Sequence, residues 1–188
     1  VGRGIGNAFK VAGVGIAATT AAVGGLVSIF AKQEQADTDL AASIAKVGGE
    51  VDKLLPKLKE QAAAIQQQTV YGDEYIQELQ AMAINMGVAT DEVDEATKAA
   101  LGLAKAYKVD NVAAMRLVAR ARSGDTTTLK RYGIVLDDTL DKTEKYNAIL
   151  RIGAANYRLV KAETDSTAGR LRQLKNALGD VAEGIIQG

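Results

Sequence analysis

Neither cysteine nor histidine occurs in this chain of 188 residues. Without cysteine no disulfide framework is open to it, and the redox compartment cannot be read. Losing both residue types also removes the usual zinc ligands and the usual imidazole base. Tryptophan is absent, and phenylalanine occurs only as Phe9 and Phe30. Helices rich in Ala and Gly pack by small-residue contact along a seam rather than around aromatic anchors, so the composition does not favour one compact core. A single proline, Pro56, argues for long uninterrupted helices. The formal net charge is zero, so bulk electrostatics does not nominate nucleic acid. No stretch alternates as a half-buried strand would. The class expected is all-α: long helices with coiled-coil-like seams flanking a small bundle of short helices, plus an N-terminal apolar helix.

What is present begins with residues 11–31, twenty-one positions without a charge between Lys10 and Lys32. As a helix the run would rise ~1.5 Å per residue and reach ~30 Å, the thickness of a bilayer core. Such a run cannot face water all round. It is rich in Ala, Gly and Thr, so its insertion energy is marginal, and its small residues invite close helix approach. The run is too long for a secretory signal. We read 1–32 as a glycine-rich, self-associating, membrane-competent helix. Its apolar contacts are Val11, Val14, Ile16, Val23, Leu26, Val27, Ile29 and Phe30. A buried core helix and a constitutive span are the alternatives. Because the chain opens on Val1 and closes on Gly188 in mid-pattern, a fragment of a longer protein is expected.

Over 33–70, Leu40, Ile44, Val47, Val51, Leu54, Leu58 and Ile65 alternate at spacings of three and four, with Gln61 interrupting. That is a coiled-coil pattern; an amphipathic helix on a globular core fits it too. Pro56 predicts a kink or break, and Gly48-Gly49 weakens the helix. The stretch 71–138 reads as a module of short helices. Asp73 is the expected cap of a helix closed by Gly87, and Thr90 of the next, which runs to about Tyr107. Asp110 is expected to cap a third, with Arg116, Arg120 and Arg122 outward, and Gly133 to terminate a short turn holding Leu129. Over 139–188, Asp141 with Glu144 forms a box-like helix start, and Ser166 or Thr167 opens the last helix. There Leu171, Leu174, Leu178, Val181 and Ile185 repeat the three-four spacing. Charge is segregated: 60–97 holds eight acidic residues and no basic one, whereas 98–133 holds eight basic residues against Asp110 and Asp125. Such blocks suit modules or subunits that attract one another.

Motifs for chemistry fail in context. Gly13, Gly15 and Ala18 match G-x-G-x-x-A, but no strand precedes them. Asp37-Thr38-Asp39 opens like a calcium loop, but Ala42 stands where the turn glycine belongs and Gly48 where the bidentate acid belongs. The carboxylate pairs Asp73/Glu74 and Asp137/Asp138 lack an apolar setting that would split their ionisation, so they read as caps and turn residues. Arg116, Arg120, Arg122, Lys130 and Arg131 offer phosphate contacts, without a groove-reading motif. No catalytic residues, metal ligands or cofactor are nominated.

Two stretches in combination carry a resemblance. They are ATKAALGLAKAYKVDNVAAMRLVARARSGDTTTLKRYGIVLDD, over 96–138, and STAGRLRQLKNALGDVAEGIIQG, over 166–188. The chain resembles the phage tail tape measure proteins at Ala121, Gly124, Leu129, Arg131, Gly133 and Ile134. It does so again at Gly169, Leu171, Gln173, Leu174, Lys175, Asn176, Ala177 and Asp180. The upstream IAKVGGEVDKLL is similar as well, and the likeness covers most of 36–188. The resemblance implies a structural, non-enzymatic protein in the lumen of a virion tail, whose extended helical length sets tail length. It implies as partners copies of itself, tail tube proteins and tip or baseplate hub proteins. During infection it implies release into the host membrane or periplasm, helping DNA past the inner membrane, with DNA contact that is not specific. Under that reading the seams at 40–65 and 171–185 hold copies together as a homo-oligomer. Other classes remain open: a membrane pore or permeabilising protein using 11–31, or a DNA-binding helical module using 116–131.

Overall fold

The computed structural model describes Ser28 and residues 31–187, with side chains placed through Val181. The described chain is all-helical, with no strand among the described residues. Helix α1 covers 31–46, α2 Val51–Gln68, α3 Asp73–Asn85, α4 Val93–Tyr107 and α5 Asn111–Arg122. A 3-10 turn at Leu129–Tyr132 precedes α6, Lys142–Glu163, and α7, Thr167–Gln187. Of the predicted apolar helix only Ser28, Ala31 and Lys32 are described. Its contact residues Val11, Val14, Ile16, Val23, Leu26, Val27, Ile29 and Phe30 lie outside the described residues. Among the described residues no helix is long and apolar enough to cross a membrane.

Local signals in the sequence account for most of the helix ends. The Asp110 carboxylate accepts from the Ala113 N–H at 2.8 Å. Asp141 and Glu144 form the reciprocal capping box at 2.8 and 2.9 Å. At the end of α3, Gly87 takes φ +89°, the Val88 N–H turns back to the Ala83 carbonyl at 3.0 Å, and Val88 is buried. That is the left-handed stop which glycine permits. Two expected starts move. Gly72, not Asp73, caps α3, and α4 begins at Val93 after a turn over 90–92.

The predicted helix over 33–70 breaks, though not at its proline. Pro56 sits inside α2, whereas the chain reverses at Gly48, φ +75°, separating α1 from α2. Both helices join α3. Gln33 of α1 meets Asp73 at the start of α3 (3.3 Å), and Ser43 meets Asn85 at its end (2.8 Å), so the two run in the same direction. Helix α2 runs back between these ends, with the Gln80 amide donating to the Leu58 carbonyl at 3.0 Å. The expected seam between copies is therefore corrected. Leu40, Ile44, Leu58 and Ile65 are buried in the chain's own core, with Val51 and Leu54 packed partly against it. Only Val47 is left out, 51 % exposed.

A contiguous core also corrects the expectation that the composition does not favour one. Helix α4 buries nine of its fifteen residues, among them Ala96, Ala99, Ala100, Gly102, Leu103 and Ala104, as a helix covered on nearly every side must. It is packed by α3, α5 and α6. The bundle therefore runs past residue 138 into α6. Where α4 meets α6, a Cβ on Gly102 would overlap the Gly153 carbonyl oxygen and come within 2.8 Å of the Tyr157 nitrogen. A Cβ on Gly153 would come within 2.5 Å of the Ala99 Cα. The two backbones touch, which removes the gap that large side chains would otherwise fill.

Two predictions follow from this packing. Gly153→Ala adds about 1 kcal/mol of helix propensity, but its methyl faces backbone rather than a movable side chain. Overpacking of about 1–3 kcal/mol or more outweighs that gain, so urea unfolding should show a lower midpoint at unchanged slope. An unchanged midpoint would mean that the helices lie further apart. Nearby, burial pushes the Tyr157 hydroxyl up to about 12 from 10.0, and this oxygen has no hydrogen-bond partner among the described residues. An unfolded chain loses that proton near its ordinary value and the folded one only near 12. The stability it contributes is therefore present below pH 10 and lost between pH 10 and about 12. Tyr157→Phe should unfold with a shallower alkaline dependence and no loss of stability at neutral pH.

Candidate assembly surface on the last helix

A turn over 164–166 separates α7 from α6, and local contacts hold it. The Ser166 hydroxyl accepts from the Gly169 N–H at 2.9 Å, the cap expected at this position. Gly169 is buried, and a Cβ there would come within 2.8 Å of the Thr164 Cα. Arg172 pairs with Glu163 at 3.2 Å, and Lys105 of α4 reaches the same carboxylate at 2.7 Å.

The helix then crosses the end of α2 with its polar side inward. Gln173 donates its amide to the Gln67 and Thr69 carbonyls, both at 3.3 Å, and Asn176 reaches the Val70 carbonyl at 3.5 Å. Carbonyls at a helix C-terminus lack intrahelical donors, and α7 supplies them. One turn on, the Gln66 amide donates to Asp180 at 2.7 Å. Positions 173, 176 and 180 lie two residues on from 171, 174 and 178, about 200° round the helix. The apolar stripe consequently points away from the bundle: Leu171, Leu174, Leu178 and Val181 are 63, 57, 62 and 60 % exposed. Four of the five residues expected to form the C-terminal seam thus share a face that is exposed among the described residues; no pairing between copies is shown, and the Ile185 side chain lies outside the described residues. The other large exposed hydrophobics among the described residues are Val47, Met86, Val135 and Leu159. Four apolar positions along one exposed helix face are the less ordinary feature, of the kind that interaction sites carry.

The electrostatics of the junction centre on Asp73. Burial raises its carboxyl above the ordinary 3.8; the nearby Glu74 and Asp180 raise it further, and amides from Gln33 and Gln77 pull the other way. The pair Asp73/Glu74, expected to lack an apolar setting that would split its ionisation, thus has one partly buried member whose carboxyl is raised. Asp137 behaves as a turn residue: its carboxylate is held below the usual range by the Thr139 hydroxyl (2.7 Å) and N–H (2.9 Å).

The remaining candidates come apart. Asp37 and Asp39 lie within α1; Asp37 pairs with Lys59, and Asp39 accepts from Gln35 at 2.8 Å. Among the described residues no group of three or more Asp or Glu is placed to hold a metal ion. The basic block is partly neutralised within the chain. Arg122 pairs with Glu92 and sits 5.7 Å from the Tyr146 ring centre, and Lys130 pairs with Asp138 at 3.3 Å. Part of the segregated charge thus attracts its opposite inside one chain. The cleft between α1 and α3 is lined by Asp39, Ser43, Lys46, Glu78 and Asn85, of which Ser43, Lys46 and Asn85 bond one another. The inward role of Gln66, Gln173, Asn176 and Asp180 is new to the structure; in sequence they look like an ordinary wetted face.

The architecture is an all-helical bundle carrying one peripheral, outward-apolar helix. Comparison of the chain with protein-family models, curated proteins and solved structures finds no match in any of the three.

The seating of α7 beside α3 is checked by titration. Asp180→Asn removes one of the charges that raise the Asp73 carboxyl, so its titration followed by NMR should move downward while staying above 3.8 through burial. An unmoved Asp73 would mean that α7 is not docked there.

Proposed function

We propose that this chain is a structural, non-catalytic segment of a phage tail tape measure protein. It works in the lumen of a virion tail, among copies of itself and the tube and tip or baseplate hub proteins. What supports this reading most is how the resembling positions of the last stretch divide. Gly169 permits the turn into α7; Gln173, Asn176 and Asp180 bind the bundle end; Leu171 and Leu174 face outward. The positions that resemble the family form one device, a helix seated by its polar side that offers an apolar side for assembly. The matching positions of the first stretch end at the Gly133 turn, where the Ile134 N–H returns to the Leu129 carbonyl at 3.1 Å and both side chains are buried. In this reading no residue carries out a reaction. In this reading distance is measured by extended helix, which the folded bundle, whose helices double back, does not itself supply.

The test is tail length in the phage that carries the gene. Removing helical residues in frame, outside the bundle, should shorten tails by about 1.5 Å per residue, measured by electron microscopy. Tails of unchanged length would overturn the ruler.

A further inference from the structure

The polar side of α7 meets the bundle at a cluster of carboxylates. One side chain of α2 holds two of them. The Gln66 amide oxygen accepts from the Asp73 N–H at 2.6 Å, and its amide nitrogen donates to Asp180 at 2.7 Å. Asp73 of α3 and Asp180 of α7 are thus neighbours across a single residue. Beside them, Lys32 of α1, Glu74 of α3 and Lys175 of α7 line one cleft with Gln66 and Asp180. Three negative charges therefore meet two positive ones. From α1, Gln33 donates to Asp73 at 3.3 Å and to Asp37 at 3.2 Å, and Asp37 is paired with Lys59 of α2. Gln77 donates to the same Asp73 oxygen at 3.3 Å. Among the described residues Asp73 is thus hydrogen-bonded through its carboxylate by neutral amides, with no cation paired to it. Its charge is left to repel whatever acid approaches. Because the approach of Asp180 raises the Asp73 carboxyl, a proton on Asp73 must in turn favour the approach of Asp180. The seated state is the one in which Asp73 keeps its proton to higher pH. The added hold is therefore complete below the ionisation range of the unseated carboxyl, and it is lost as pH rises through that of the seated one.

We propose that the seat of α7 is a proton-sensitive latch: α7 moves about the 164–166 turn, a proton on Asp73 closes it onto the end of α2, and the ionised carboxylate pushes Asp180 away. The remaining attachments are side-chain hydrogen bonds from Gln173 and Asn176 to the Gln67, Thr69 and Val70 carbonyls. Bonds of this kind are modest enough in net strength for one charge repulsion to shift the balance. The latch does not rest on the phage-tail reading. It makes acidity set how firmly the outward stripe of α7 is held in place.

The absence of cysteine and tryptophan makes the test clean. Gln67 and Ala177 are exposed and line one cleft between α2 and α7. Ala177→Cys carries a bimane label in the full chain, and Gln67→Trp supplies a quencher that acts only on contact. Emission then reports the fraction of α7 that is unseated. Between pH 7.5 and pH 4.5 the emission should fall, with the ratio of seated to unseated helix rising about threefold, the size expected of one carboxylate pair in a partly wetted setting. The change should shrink in 1 M salt, which screens exposed charges. Asp73→Asn should hold the emission at its acid-side value at every pH, and Asp180→Asn should flatten it as well. An emission that does not vary with pH, or that rises on acidification, would overturn the latch. So would a pH dependence that survives in either Asn variant, since the response would then come from groups other than this pair.

Discussion

The fold depends on the place where α4 and α6 touch backbone to backbone. Gly102 and Gly153 face one another with no room for a methyl group on either. Once two helices approach this closely, the space to be filled beside them is thin. Ala96, Ala99, Ala100 and Ala104 then suffice where a wider crossing would require aromatic rings. The shortage of Phe and Trp and the surplus of Ala and Gly are thus the two sides of one geometry. Each glycine costs the helix about 1 kcal/mol of propensity, a cost recovered through contact along the rest of α4.

Much of the local structure was legible because the deciding interactions are local. Asp110 and its Ala113 N–H, and Asp141 with Glu144, lie three residues apart, so pattern and bond are the same information. The Gly87 and Gly133 stops belong to the same kind. The break at Gly48 was less visible because Pro56 carried the stronger expectation, yet α2 continues through its proline, which removes one backbone bond, whereas a left-handed glycine reverses the chain. Isolated glycines inside apolar helices, Gly102 and Gly153, did hold a readable signal of close packing, one that composition alone obscured.

The direction of each apolar stripe was not legible. Leu40 to Ile65 and Leu171 to Val181 carry the same three-four spacing, yet the first is spent inside the chain and the second faces outward. Periodicity fixes which residues share a face and says nothing of what lies opposite. That is decided by partners over a hundred positions away, Gln66, Gln67, Thr69 and Val70, whose amide and carbonyls receive the polar side of α7. The same distance hid the raised ionisation of Asp73, which burial and the approach of Asp180 create together.

The two kinds of attachment differ in strength, and the difference gives α7 its character. Helices α4 and α6 are joined by buried apolar surface, where removing one large side chain costs about 2–5 kcal/mol. Helix α7 is joined by amide hydrogen bonds at a partly wetted junction, each worth about 0.5–1.5 kcal/mol net, and by exposed pairs such as Arg172 with Glu163, worth less still. A segment held so lightly adds little to the bundle and can open without unfolding it. Whatever covers its stripe adds its own binding energy to the seated state and so biases the position of α7. Seating and any cover of the stripe would therefore be thermodynamically linked: loosening the polar contacts at Gln173 and Asp180 would weaken the hold on whatever bound there, and its loss would weaken the seat.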